Sequence, residues 1–519
     1  MILQKYKNKL LFIFILFSVI STFFIGSFWD VFFHLEIGQR RLKYLFSFGK
    51  YYKFENVDYG VEYYPGVYDT ISYFFITLFP QSLKLEIYNT FSFFIGLFGI
   101  IGLKKFCKIL FNKNISYIFF IVTLFSPIFF GQMLSNPKDI VVASSYFWIL
   151  YYLTKYFFLS NKINKKTIAF KLGLLIAFGT GSKILFVGLL IPLGIILSIE
   201  FIYQKNKTLI IKENFLNLII LFFVGYSFTV FFWPQTHSNI FIEPIKLLLE
   251  AIKNQKLFGV PFSLYANQIV NTEEVPWHYI PINFLFKTPL YIIIILLFGL
   301  INIKKINLYF NNELTDFGKK NLYLLIIIFT PIIISILANL KLYDGLRNYL
   351  FLIPIINILV AQIIYYLIKN IRKLLIKIFS FICLLSFLYS LFIYIILTPY
   401  QYTYLNELNK LFYNDYSFEN DYLGTSLKKL IKNFSLNNDK KEGKIASCIN
   451  HVLTKHYLNK YNLSNLKLVG LSDNFDFVIT NNRPINSKKT CRQFYLEKNY
   501  LDVVSVKRNK VILSSVMKK

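Results

Sequence analysis

Apolar runs of near 20 residues recur along this chain from Lys9 to Leu397. Each is long enough to cross a hydrocarbon core ~30 Å thick. A length of 519 residues would otherwise suggest three or four soluble domains, but 55% hydrophobic and 19% aromatic residues do not fit that reading. The expected fold is a polytopic α-helical membrane protein of about eleven transmembrane helices over 1–399, followed by a small α/β extramembrane domain over 400–519. The spans fall at 9–28, 87–103, 115–134, 140–158, 168–181, 183–201, 215–233, 279–301, 321–339, 346–367 and 374–397. The stretch 69–80 is too short to span and reads as a helix at the interface. The start, MILQKYKNK and then LLFIFILFSVISTFFIG, is similar to a signal peptide. It lacks a small-x-small site before Trp29, so it is expected to stay as the first helix.

The formal charge of +30 raises the question of nucleic acid. Its positives are spread through short loops instead of one stripe or face, which argues against such a partner. The loops KKFCKILFNKN, KYFFLSNKINKKTIAFK, EFIYQKNKTLIIKEN, INIKKINLYFNNELTDFGKKN and IKNIRKLLIK are all rich in Lys. By the positive-inside rule they are cytoplasmic, with the N-terminus. The connections 29–86, 135–139, 181–182, 234–278 and 340–345 then lie outside, with the tail from 398. Only seven of the 57 basic residues are Arg (Arg40, Arg41, Arg347, Arg372, Arg483, Arg492, Arg508), so an Arg here is the more deliberate choice.

Within the tail, LKKLIKNF (427–434) has helical period, while KIASCI, LKLVGL, FDFVIT, DVVSVKR and KVILSSV read as strands, with Arg508-Asn509 as a hairpin turn. Cys448 and Cys491 both fall in the tail and are open to pairing or to remaining thiols. Cys107 and Cys383 lie in or beside helices.

The residues that could carry chemistry gather on the outer side. The first outer loop opens on Trp29-Asp30, and on a helix His34 would follow one turn later, with Glu36 less well aligned. A carboxylate where a helix leaves the membrane is costly unless paired or hydrated, so Asp30 is either an interfacial N-cap or a working group. Asp58, Glu62, Tyr63, Tyr64 and Asp69 form an acid-and-aromatic cluster, which suits sugar binding and equally an ordinary interfacial loop. In the turn Ser135–Asp139, Asp139 reads as an N-cap, but Lys138 stands where the orientation rule disfavours it. The same holds for Lys183 and Arg347. Three outer cations suggest an anionic headgroup, most simply a lipid phosphate, with snorkelling to the interface as the alternative. In the second long loop His237, Glu273, Glu274, Trp277 and His278 could line a site or face water. No metal-ligand spacing, P-loop or G-x-S-x-G is present, so no cofactor is implied and a divalent metal is not indicated.

Taken together and in order, WDVFFHLEIGQRRLKY, LSNPKDIVVAS, FGTGSKILFVGLLIP, EVPWHYIPINFLFKTPL, LYDGLRNYLFLIPI and PYQYTYLNEL…FENDYLGTSLKK resemble the GT-C membrane glycosyltransferases, in the branch of protein O-mannosyltransferases and lipid A aminoarabinose transferases. The resemblance implies transfer of a sugar from a polyprenyl-phosphate donor to a lipid, glycan or protein acceptor, at the periplasmic face of a bacterial inner membrane. It puts the catalytic carboxylate at Asp30 and the phosphate-binding cations at Arg347, Lys138 and Lys183. Where many members have a second acid, Val31 stands here, leaving Glu36 and Asp58 as fallbacks. His34, Tyr64, His237, Trp277 and His278 are further candidates for contact with substrate. The rival readings are a transporter or flippase of lipid-linked sugars, and an envelope-glycan polymerase or ligase.

Overall fold

A computed structural model describes residues 2–51, 60–158, 164–203, 207–254, 259–437 and 442–519. Asp58 lies outside the described residues. Among them, five helical segments are long and apolar enough to cross a membrane: Ile184–Ile202, Asn214–Phe231, Phe317–Leu337, Leu352–Lys369 and Leu374–Ile396. The number rises to seven if two bent pairs each count as one crossing. The count of eleven expected from the sequence is therefore not reached by length and composition. The exposed faces of these helices are apolar, with Phe222 and Phe223 each more than two-thirds open to the surroundings. A surface of that kind is at home only in lipid or against a partner. Leu352–Lys369 differs from the rest, being 72% buried against 17–33% for the other four. It is the inner post of the bundle.

Two expected spans are broken. Lys113–Leu124 and Pro127–Met133 meet at 70°, and Tyr279–Lys287 and Leu290–Ile301 at 114°. Proline is the cause in both places. Pro127 occupies the first position of a new helix behind an extended Ser126, and Pro289 follows an extended Thr288. A proline pushes its predecessor out of the helical region and opens a helix readily at N1.

The long helices Lys84–Leu110 and Pro137–Phe158 pack along a seam of small residues. Gly99 faces the Ser144 backbone and Gly102 faces the Trp148 ring, each too close for a Cβ. Their approach fixes where the turn 135–139 emerges. At the same end, the segment after the first helix folds into the amphipathic helix Val31–Phe46, which buries Val31, His34, Ile37, Gly38 and Arg41 at helical spacing. Gly38 abuts the carbonyl of Asp69 and so lets the helix Val67–Ile76 lie against it. The 234–278 connection contains a hairpin absent from the sequence expectations, β1 (Phe262–Tyr265) with β2 (Gln268–Asn271).

The tail forms a sheet of β3 (Gly443–Ser447), β4 (Leu466–Val469), β5 (Phe477–Asn481), β6 (Leu501–Arg508) and β7 (Val511–Lys518), ordered β4-β3-β5-β7-β6. The strands β4, β3 and β5 are parallel, and β7 runs antiparallel to both its neighbours. The β6–β7 turn falls on Asn509-Lys510, one residue beyond its expected place, because Arg508 still pairs with Val511. Both turn residues have positive φ (45° and 70°), the geometry that matches strand twist in a two-residue loop.

This sheet unit is tied to the bundle by specific bonds. Gly26 N–H donates to the Thr425 carbonyl (3.0 Å), and Ser27 N–H to the Tyr457 hydroxyl (3.0 Å). Glu86, 5% exposed, accepts from both Lys428 (2.8 Å) and Lys460 (2.7 Å). Inside the unit a disulfide joins Cys448 and Cys491, which settles the pairing the sequence left open. It closes a loop with a sequence separation of 43. Chain-entropy reasoning then assigns it roughly 2–4 kcal/mol. Replacing both cysteines by serine is expected to lower the unfolding free energy of the sheet unit by about that amount, read as a fall in protease resistance of the tail. Equal resistance in the two proteins would remove the disulfide from the account of stability.

Candidate functional site

The end of the first helix, the 135–139 turn, Lys183 and the start of the inner post converge at one place. Asp30 sits at the N-cap position of Val31–Phe46, yet its side chain makes no capping hydrogen bond. Among the described residues no hydrogen bond or ion pair engages its carboxylate, and it is half-buried. One turn on, His34 is 3% exposed and its Nδ1 lies 3.2 Å from Asp69 Oδ2. Burial and the nearby Lys138 cation keep the His34 imidazole below its ordinary range, against the pull of Asp69.

Asp139 is not a cap, contrary to the sequence reading. Its helix starts two residues earlier, at Pro137, and its buried carboxylate is bound by the Lys183 ammonium and by Arg347 Nε at 2.7 Å. Asn136 Nδ2 adds a third donor at 2.6 Å. Burial alone would raise its pKa, but Lys183 and Arg347 outweigh that and hold it well below the usual carboxylate range. Lys138 beside it is 4% exposed, with Nζ 3.6 Å from the centre of the Tyr64 ring. Burial is the main reason its pKa is brought down to about 7, with Lys183 and Arg347 adding to the fall and Asp69 and Asp30 opposing it.

Arg347 lies on a short 3-10 turn leading into the inner post. Besides Asp139 it binds Asp344 Oδ2 at 3.0 Å through NH1. Asp344 is fully buried and its other oxygen receives Arg483 at 2.8 Å. Arg483 comes from the loop after β5, donates to the Tyr422 carbonyl (2.7 Å) and stacks on Trp29, 4.9 Å from its ring centre. Lys287 closes the group from the bent pair. Its ammonium approaches Gly345 so closely that a Cβ there would collide with it.

A cavity of about 290 Å³ runs from this cluster. Tyr64, Asp139, Lys183, Tyr343 and Arg347 line its polar end, while Leu189, Ile191, Pro331, Ile334 and Leu340 line the rest. The apolar walls come in large part from Ile184–Ile202 and Phe317–Leu337, two of the segments able to span a membrane. The cavity can therefore hold a molecule that is anionic at one end and hydrocarbon along its length.

Other candidates lie elsewhere. Glu36 is exposed and paired with Arg40 at 2.5 Å. His237 bonds Tyr44 (2.9 Å) and the Val230 carbonyl (2.8 Å). His278 bonds Tyr265 (2.6 Å), and Trp277 is 70% exposed. Among the described residues no three His, Cys, Asp or Glu side chains converge as metal ligands. Asp344, Lys287 and Arg483 were missed as site residues. The Asp-Gly pair three residues before Arg347 is the one local signal for Asp344.

No family model and no curated protein sequence matches the chain. Solved structures do. ArnT from Cupriavidus metallidurans, in a crystal structure bound to undecaprenyl phosphate, superposes over 98% of both chains with a TM-score of 0.51 at 10% identity. The chain shares the fold of that structure. The archaeal oligosaccharyltransferase AglB from Archaeoglobus fulgidus, in complex with an inhibitory peptide and a dolichol-phosphate, is also similar, at 10% identity and a TM-score of 0.47 over 92% of this chain and 70% of its own. In this fold the Trp29-Asp30 segment, the 135–139 turn, Lys183 and Arg347 all face one cluster, and the sheet unit reaches it through Arg483.

Proposed function

We propose that this protein is a glycosyltransferase moving a sugar from a polyprenyl-phosphate donor to an acceptor hydroxyl, at the periplasmic face of a bacterial inner membrane. The observation that carries this reading is the cavity with Lys183 and Arg347 at one end and hydrocarbon walls along the rest. A phosphate on an isoprenoid chain has that shape and polarity. Residues 1–399 form the transferase bundle and 400–519 the outer domain, an orientation supported by the Cys448–Cys491 disulfide, since such bonds persist in oxidising compartments.

Asp30 is the general base. It takes the acceptor hydroxyl proton as the oxygen attacks the anomeric carbon from the face opposite the phosphate, and the carbon–phosphate-oxygen bond breaks with inversion. The departing phosphate monoester gains charge, which the Arg347 fork and Lys183 stabilise, with Lys138 beside them. A leaving group so stabilised needs no proton, and one carboxylate suffices. His34 and Tyr64 shape the wall next to Asp30 and Lys138. Wild-type protein in lipid, given a panel of polyprenyl-phosphate sugars, is expected to release free lipid phosphate from one of them only when an acceptor is present. Folded protein that releases none from any donor would favour a carrier of lipid-linked sugars instead.

The Lys138 ammonium gives the reaction a pH signature. Its pKa of about 7 is that of the site without donor. A bound phosphate stabilises the charged form, so binding takes up a proton wherever the free site has lost one. Donor affinity is therefore expected to fall as pH rises from about 7 to 9, by up to tenfold per unit. Lys138→Gln should flatten that slope. An unchanged slope in the variant would place the titrating group elsewhere.

A further inference from the structure

The sheet unit is more than a neighbour of the site. Lys183, Asp139, Arg347, Asp344 and Arg483 form an alternating row of cation and carboxylate, linked at each step by an ion pair. Three cations against two carboxylates leave one positive charge, and the row ends at the cavity through Lys183 and Arg347. Within the row, the two carboxylates would balance Lys183 and Arg347 without Arg483, with Lys138 and Lys287 as the cations beside it.

Arg483 is also held from behind. Cys491 N–H donates to its carbonyl (2.8 Å), and Cys491 is covalently tied to Cys448 at the end of β3. Asn482 next to it donates to the Phe418 carbonyl (3.1 Å). The guanidinium thus arrives at Asp344 on a loop that is anchored on both sides.

We infer that Arg483 is a positioning residue for the anion site: by sharing Asp344 with Arg347 it offsets a carboxylate charge that would otherwise fall on Arg347 alone, so the outer domain sets donor affinity. This rests on the reading of the cavity as a lipid-phosphate site. The charge count gives it a signature that a purely structural role lacks. Removing Arg483 takes the row from one positive charge to none. Removing Asp344 as well restores the single positive charge.

The test uses the full chain in nanodiscs of zwitterionic lipid, with sugar-free polyprenyl phosphate as the probe and its Kd as the readout. Arg483→Ala is expected to weaken binding about 30-fold, in the range set by truncating one partner of a buried charge pair. Arg483→Lys should stay within about threefold of wild type, and the double variant Arg483→Ala, Asp344→Asn should recover at least about fivefold over the single change. Arg483→Gln serves in place of the alanine variant if that one does not fold. Wild-type affinity in Arg483→Ala, or a double variant no tighter than the single one, overturns the inference. If Arg347→Ala loses the probe while Arg483→Ala keeps it, the phosphate site stands and only the role of Arg483 falls. If wild-type protein does not bind the probe, the phosphate reading itself fails and this inference with it.

Discussion

Asp30→Asn is expected to fold and bind donor as wild type does, yet to lose about three orders of magnitude in turnover, in line with the contribution of a positioned general base. In barrier terms that is about 4 kcal/mol. The fold should tolerate the change because no ion pair or hydrogen bond of the carboxylate is sacrificed among the described residues, and the N-cap position accepts Asn as readily as Asp. The measurement is single-turnover release of lipid phosphate with saturating acceptor. It needs a folding control such as the melting temperature in detergent. Turnover within a few-fold of wild type would move the base to another residue. Turnover lost together with donor binding would instead point to damage in the cation cluster, since Asp30 lies within electrostatic reach of Lys138 and Arg347.

Arg347→Ala is expected to do the reverse, weakening donor binding by two to three orders of magnitude, about 3–4 kcal/mol. Its removal is survivable for the fold because each of its two acids keeps a second cation. Asp139 keeps Lys183 and Asp344 keeps Arg483. What is lost is the planar fork that can meet two phosphate oxygens at once, which a lysine at this position would not replace. Binding of a lipid-linked donor, measured at fixed lipid composition, separates this from a general fall in stability. Near-normal affinity in the variant would assign the phosphate to Lys138 and Lys183 alone.

How much of this was legible in the sequence depended on the range of the signal. Lys138, Lys183 and Arg347 stood out because each breaks a charge rule that acts locally along the chain, and the structure brings Lys183 and Arg347 onto one carboxylate. Asp139 was misread for a related reason. Capping is a local rule, and nothing nearby in sequence announced two cations arriving from Lys183 and Arg347. Asp344 and Arg483 escaped notice because their pairing spans 139 positions and depends on the sheet unit docking beside Trp29. The broken spans are a different case. Ser126-Pro127 and Thr288-Pro289 are plain helix-breaking pairs, but continuous apolar character masked them. His237 and His278 drew attention by residue type, and each turned out to be satisfied by a tyrosine hydroxyl.

The bonds from Gly26 to Thr425 and from Ser27 to Tyr457 join segments about four hundred positions apart in the chain. Contacts of such separation form late, after the intervening helices have been made and inserted. During synthesis the Trp29-Asp30 corner therefore waits, open, while the rest of the bundle assembles around it. Asp30 meets its completed surroundings only when the sheet unit has docked against the end of the first helix. A chain stalled before that point holds a carboxylate and a lipid cavity without the arginine that completes the row, and is expected to be inert toward the lipid-linked sugars around it.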